Sequence, residues 1–227
     1  MSRRRHALWA ITAAVAIVAG WPALDIGGGQ ATALPNTVDA VETLLGEVTV
    51  VDRIDSHPGY ERRCGTDRKT RAKRACVFGP AWTDPDDRSG CDTRNRIAAQ
   101  QLRDVQFKPG TRRCKVIAGR LDPDPYSGNV FDLKKVAADH IYPLKAAWDA
   151  GAWQWDLRQR QRFANDPDEL LMVSASANSS KGDSTLAQWL PPVDQCGYVA
   201  RYLAVAVKYQ LPITAADHTT ALRTCHH

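Results

Sequence analysis

An aspartate and a histidine stand side by side at residues 139 and 140, in "VAADHIYPLKAAW", where an apolar run ends and a proline follows at 143. Together the two residue types can hydrolyse a phosphodiester with the help of a metal ion. Such an ester resists water because its negative charge repels the nucleophile and its alkoxide leaves poorly, and a divalent cation counters both effects. The cation needs hard oxygen ligands, which Asp139 offers. The attacking water needs a base that titrates near neutrality, which His140 offers. Read alone, the pair is equally an ordinary strand end with polar residues.

The pair has to be positioned, and the surrounding pattern says by what. "KVAADHIY" reads as a strand, and Tyr142 ahead of Pro143 is biased away from helix, so the chain stays extended through the pair. Adjacent strand residues point to opposite faces, so Asp139 and His140 converge only where the strand ends or bends. Upstream, "TVDAVETLLGEV" has helical spacing ended by Gly46, "VTVVDRI" reads as a strand, and "CDTRNRIAAQQLRDV" reads as a helix capped by Asp92 or Thr93. "CKVIAGRL" and "NVFDL" read as extended pieces around the turn-rich "DPDPYSG". Downstream, "DLRQRQRF" and "YVARYLAVAVKY" read as helices, and Thr214 with Asp217 forms a capping box for a last helix. Extended pieces in the middle with helices on either side predict an α+β fold.

Residues 1–33 carry Arg3, Arg4 and Arg5, an uncharged apolar run from Ala7 to Leu24, and "ATA" at 31–33, the pattern of a secretory signal peptide. An uncleaved anchor is the competing reading, weakened by Pro22 and the glycines at 27–29. Cleavage takes the formal charge from +5 to +3, since three arginines and Asp25 leave. That charge is unevenly spread. Residues 34–76 form a basic, loop-rich region in which Arg62–Arg74 holds seven basic residues against Asp67, a field that draws polyanions unless it is simply a solvated loop. Residues 55–90, rich in Gly, Pro, Asp and Arg, predict a mobile loop.

All six cysteines follow the leader, as expected of disulfides in an exported chain; fifteen pairings are open, and proximity suggests 64 with 76, 91 with 114, and 196 with 225. Trp148, Trp153, Trp155 and Trp189 suit either core anchoring or base stacking. Arg158, Arg160 and Arg162 cannot share one helical face, so only some of them could reach a phosphate.

"DHIYPL", followed by "FANDPDELLMVSASANSSKGD" and "WLPP", resembles the HNH (ββα-metal, His-Me finger) nucleases, in particular their secreted bacterial endonuclease-family branch. "GCDTRN" at 90–95, "DPYSG" at 124–128 and "CGYVARYLAVAVKY" at 196–209 resemble the same branch, so the likeness spans residues 77–225, within a region 77–227 read as one HNH endonuclease-like domain. The resemblance implies a ββα-metal core with surrounding helices, tied by disulfides. It implies Asp139 as metal ligand, His140 as general base, Asn178 as the ligand from the helix, and Lys181 as a phosphate contact. Arg94 is placed near the site as a second substrate contact, or else it is the exposed first turn of a helix. Where the family has an asparagine that holds the hairpin loop, this chain has Glu169; an ionised glutamate accepts but cannot donate, and Asn165 is a candidate substitute. An all-oxygen pair of Asp139 and Asn178 favours Mg2+ or Mn2+ over zinc.

The expectation is therefore a monomeric exported endonuclease acting on DNA, with RNA as a second substrate and little sequence preference. It has no stable membrane association once the signal is removed. The rival is a basic, disulfide-tied envelope or nucleic-acid-binding protein whose nuclease site has decayed.

Overall fold

The computed structural model describes residues 37–225; the signal expected over residues 1–33 lies outside them, as do His226 and His227. The fold mixes helix and strand, with three disulfides joining Cys64 to Cys76, Cys91 to Cys114 and Cys196 to Cys225. Those are the pairings that proximity along the chain suggests. No helix among the described residues is long and apolar enough to cross a membrane.

In chain order the elements are α1 (Thr37–Glu47), β1 (Val50–Val51), α2 (Thr93–Gln101), β2 (Arg103–Phe107), β3 (Val116–Leu121), β4 (Phe131–Asp132) and β5 (Val136–His140). There follow α3 (Leu144–Asp149), α4 (Leu157–Asn165), β6 (Leu170–Ser174), α5 (Ala175–Lys181), α6 (Gln195–Lys208), β7 (Ile213–Thr214) and α7 (Ala215–Cys225). Three small sheets result: β1 with β7, β2–β3–β4, and the antiparallel pair β5 and β6.

The pair β5/β6 lies between two apolar clusters. Successive residues of a strand face opposite sides, and β6 is buried on both. Leu171 and Val173 enter the larger core with α1, α3, α4, α6 and α7, whereas Leu170 and Met172 enter a smaller core with Ile97, Leu121 and Val136. This two-sided burial explains why "LLMV" reads as a continuous apolar run. One side chain covers part of the outer edge of β6: Gln101 donates to the Leu170 carbonyl and accepts from Met172 N–H.

Local signals set most element ends. Asp92 caps α2 by accepting from Asn95 N–H at 2.8 Å, and Thr214 and Asp217 exchange hydrogen bonds at the start of α7. Two expectations need correction. The helix expected over 91–105 stops at Gln101, because Arg103–Phe107 pairs with β3 as β2, with Val105 and Phe107 packed on the smaller core. The strand expected at "VTVVDRI" shrinks to Val50–Val51, since β7 offers only two partner residues.

Candidate functional site

β5 pairs regularly with β6 through its last residue, Asp139 opposite Leu171 and His140 opposite Leu170. The two side chains therefore leave opposite faces of the strand and meet different neighbours.

Asp139 points into the larger core. Its carboxylate accepts from Tyr126 Oη–H at 2.6 Å and pairs with the Lys181 ammonium at 3.0 Å. Lys181, 1% exposed, also donates to the His140 carbonyl at 2.7 Å, so one cation ties the end of α5 to both residues. Burial pushes the Asp139 carboxyl up, and the charge of Lys181, then the Tyr126 hydroxyl, draw it back down. Burial also raises the Tyr126 phenol well above its ordinary value, which keeps it a donor.

His140 faces the other way. Its Nε2 lies 3.0 Å from the Ala164 carbonyl. A carbonyl only accepts, so Nε2 carries the proton and Nδ1 keeps the lone pair, the arrangement a general base requires. Burial, and after it the Arg62 guanidinium, lower the imidazole to about 3, so the ring is neutral at physiological pH. Trp82 lies flat over it, with ring centroids 5.6 Å apart and planes 8° from parallel.

Asn178 sits on α5, half-buried, one turn before Lys181; no hydrogen bond of its side chain is among the described contacts. Arg94 is placed differently from a contact at the pair. It donates to the Val136 carbonyl at the opposite end of β5, about 13 Å along the strand from His140. Glu169 occupies the turn into β6, where Oε2 accepts from Tyr142 N–H at 3.1 Å and its own carbonyl accepts from Ile141 N–H. Full burial raises its carboxyl well above the usual range, and among the described residues its buried Oε1 has no hydrogen-bond partner. Asn165 serves a neighbouring join: its Nδ2 donates to the Thr83 and Gln161 carbonyls, while its buried Oδ1 has no partner among the described residues.

Three contributors were not singled out by sequence reasoning. Tyr126 was visible only as part of "DPYSG", whose Asp124 accepts from Ser174 N–H and so fastens that turn to the end of β6. Trp82 and Arg62 come from the loop-rich region; Arg62 opens the basic run, but nothing in the sequence brings either residue to His140. That region, expected to be mobile, is fastened at several points. Asp86 pairs with Arg158 and Arg162, Arg160 donates to the Val77 carbonyl, and Arg96 pairs with Asp84. Trp148, Trp155 and Trp189 pack in or against the core, whereas Trp153 is 40% exposed and stacks on His57.

Whether a divalent ion suits these residues can be tested on the donors. Asp139 and Asn178 are oxygen donors, and the buried carboxylate already draws a cation, the Lys181 ammonium standing in that place. No group of three or more His, Cys, Asp or Glu residues able to hold a metal occurs among the described residues. Two oxygen donors are the chemistry of a hard divalent ion that keeps most of its waters. Lys181 has to yield for the ion to reach the carboxylate.

The family model described as GmrSD restriction endonucleases, C-terminal domain, matches residues 92–223. A relative in Arthroderma benhamiae, an uncharacterized secreted protein, is 33% identical over 143 residues, which cover 60% of this chain and 68% of that one. No solved structure matches.

Proposed function

The chain belongs to the family of GmrSD restriction endonuclease C-terminal domains, and we propose that it is an exported, metal-dependent endonuclease of the HNH type. Its substrate is DNA, with RNA as a second polymer, cut with little sequence preference. The observation that carries this reading is the order of β5, β6 and α5, which brings Asp139, His140 and the helix of Asn178 and Lys181 to one strand end. A nuclease family and a secreted relative support the class and the compartment.

In the mechanism, His140 Nδ1 accepts a proton from water as the water oxygen bonds to phosphorus. The bond from phosphorus to the 3′ oxygen breaks, and that oxygen takes up a proton from solvent. The Ala164 carbonyl fixes the ring and its tautomer throughout. Asp139 and Asn178 would hold Mg2+ or Mn2+, which when bound would supply charge neutralisation at the phosphate and the leaving oxygen. Lys181, once released from Asp139, contacts the phosphate. The exposed Arg68, Lys69, Arg71 and Lys73 attract the backbone without reading bases, the basis for weak specificity.

Plasmid digestion with Mg2+ or Mn2+, set beside EDTA and His140→Ala, tests the reading. Cleavage to a smear, abolished by either control, is expected; discrete bands would remove the low specificity, and cleavage surviving His140→Ala would remove the base. A second reading, a nucleic-acid-binding protein with a decayed site, draws on the Lys181 ammonium filling Asp139 and on Trp82 covering His140. DNA retardation without nicking would favour it.

A further inference from the structure

A small cavity of about 30 Å3 opens beside His140, lined among others by Arg62, Gly79, Trp82 and Asn165. A space of that size holds about one water molecule. Asn165, 2% exposed, contributes to this lining and keeps an Oδ1 with no hydrogen-bond partner among the described residues, an acceptor that a water placed there would satisfy. Arg62 lines the same space from the exposed side. Its neighbour Arg74 is paired with Asp67 and Glu61, but no ion pair or hydrogen bond of the Arg62 side chain occurs among the described residues. A free guanidinium at the mouth of a water-sized pocket, beside an imidazole with an available lone pair, is suited to take two oxygens of a phosphodiester.

We infer that Arg62 binds the scissile phosphate, and that the water attacking it is held in the adjoining pocket between His140 and Asn165. The disulfide-tied N-terminal region then supplies part of the site itself. The family match begins only at residue 92, so this contact lies outside the segment that the family model describes. The inference rests on the nuclease reading above.

Hydrolysis of bis(4-nitrophenyl) phosphate, which has a single phosphate, and of a short DNA duplex separates the possibilities. Arg62→Ala is expected to lower kcat/KM about tenfold or more on both substrates, with Arg62→Lys recovering part of the loss. Arg120→Ala, which removes the same charge from β3, where it is paired with Asp104, is expected to stay near wild type on the small ester. Thermal midpoints of the Arg62 variants should match wild type, because the side chain is exposed and makes no ion pair or hydrogen bond among the described residues. Loss on the duplex alone would make Arg62 a remote backbone contact and overturn the inference. So would wild-type rates in Arg62→Ala while His140→Ala is inactive, a result that leaves the nuclease reading standing. A wild-type protein inert on both substrates with Mg2+ and Mn2+ would overturn both.

Discussion

Glu169 stands in the turn into β6, where the HNH pattern has an asparagine. It is buried, it holds Tyr142 N–H, and its carboxyl is raised well above the usual range by desolvation. The folded protein therefore keeps a proton that the unfolded chain releases once pH passes about 4.5. Its contribution to stability is complete below that value and is lost as pH rises towards the folded-state value. Glu169→Gln keeps the acceptor and removes the titration. Its thermal midpoint should exceed that of wild type by a margin that grows between pH 4 and pH 8; a constant margin would show that Glu169 is ionised in the fold. At Lys181 the account is sharper. Lys181→Met strands a buried Asp139 charge and should cost about 3–5 kcal/mol by urea unfolding, while Asp139→Leu combined with Lys181→Met should return near wild type. Asp139 and His140 can be proposed from sequence because the chemistry they offer is carried by residue type. Trp82 and Arg62 cannot, because their roles come from a loop folding over His140 from a distant part of the chain.

At the scale of elements, the region before α2 is held on α4 by arginines of unequal weight. Arg160 reaches the carbonyls of Val77, Ala152, Trp153 and Trp155, and its guanidinium lies 5.5 Å from the Trp148 ring centre. Arg160→Ala should destabilise by about 2–3 kcal/mol, since several carbonyls lose a charged donor together. Asp86→Ala, which breaks exposed pairs with Arg158 and Arg162, should leave the urea midpoint nearly unchanged. Equal effects would mean that surface charge holds the loop. The caps at Asp92 and Thr214 and the apolar run of β6 could be read from sequence, because each depends on residues within a few positions. β2 could not, because pairing with β3 across a disulfide-closed loop converted the end of a helical pattern into strand. The Gln101 contact with the β6 edge was equally hidden, since a glutamine in a helix carries no sign of a strand edge.

For the whole molecule, two cores meet along β6, and three disulfides close loops whose ends are 12, 23 and 29 residues apart. The bond between Cys196 and Cys225 joins α6 to α7 on the larger core. Replacing both cysteines by alanine should cost about 3–4 kcal/mol on the chain-entropy account, measured by denaturant unfolding; an unchanged midpoint would place the stability of that end in packing alone.

Asp139 and Asn178 are proposed to share one divalent ion, with His140, whose side chain leaves the opposite face of the same strand end, as the base. A crystal structure of the His140→Ala protein with Mn2+ and a short duplex tests this most directly. An anomalous peak about 2.1 Å from both the Asp139 carboxylate and Asn178 Oδ1, with the Lys181 ammonium moved to the phosphate, is the expected result. Bound duplex with Lys181 still on Asp139, and no manganese between residues 139 and 178, would contradict it.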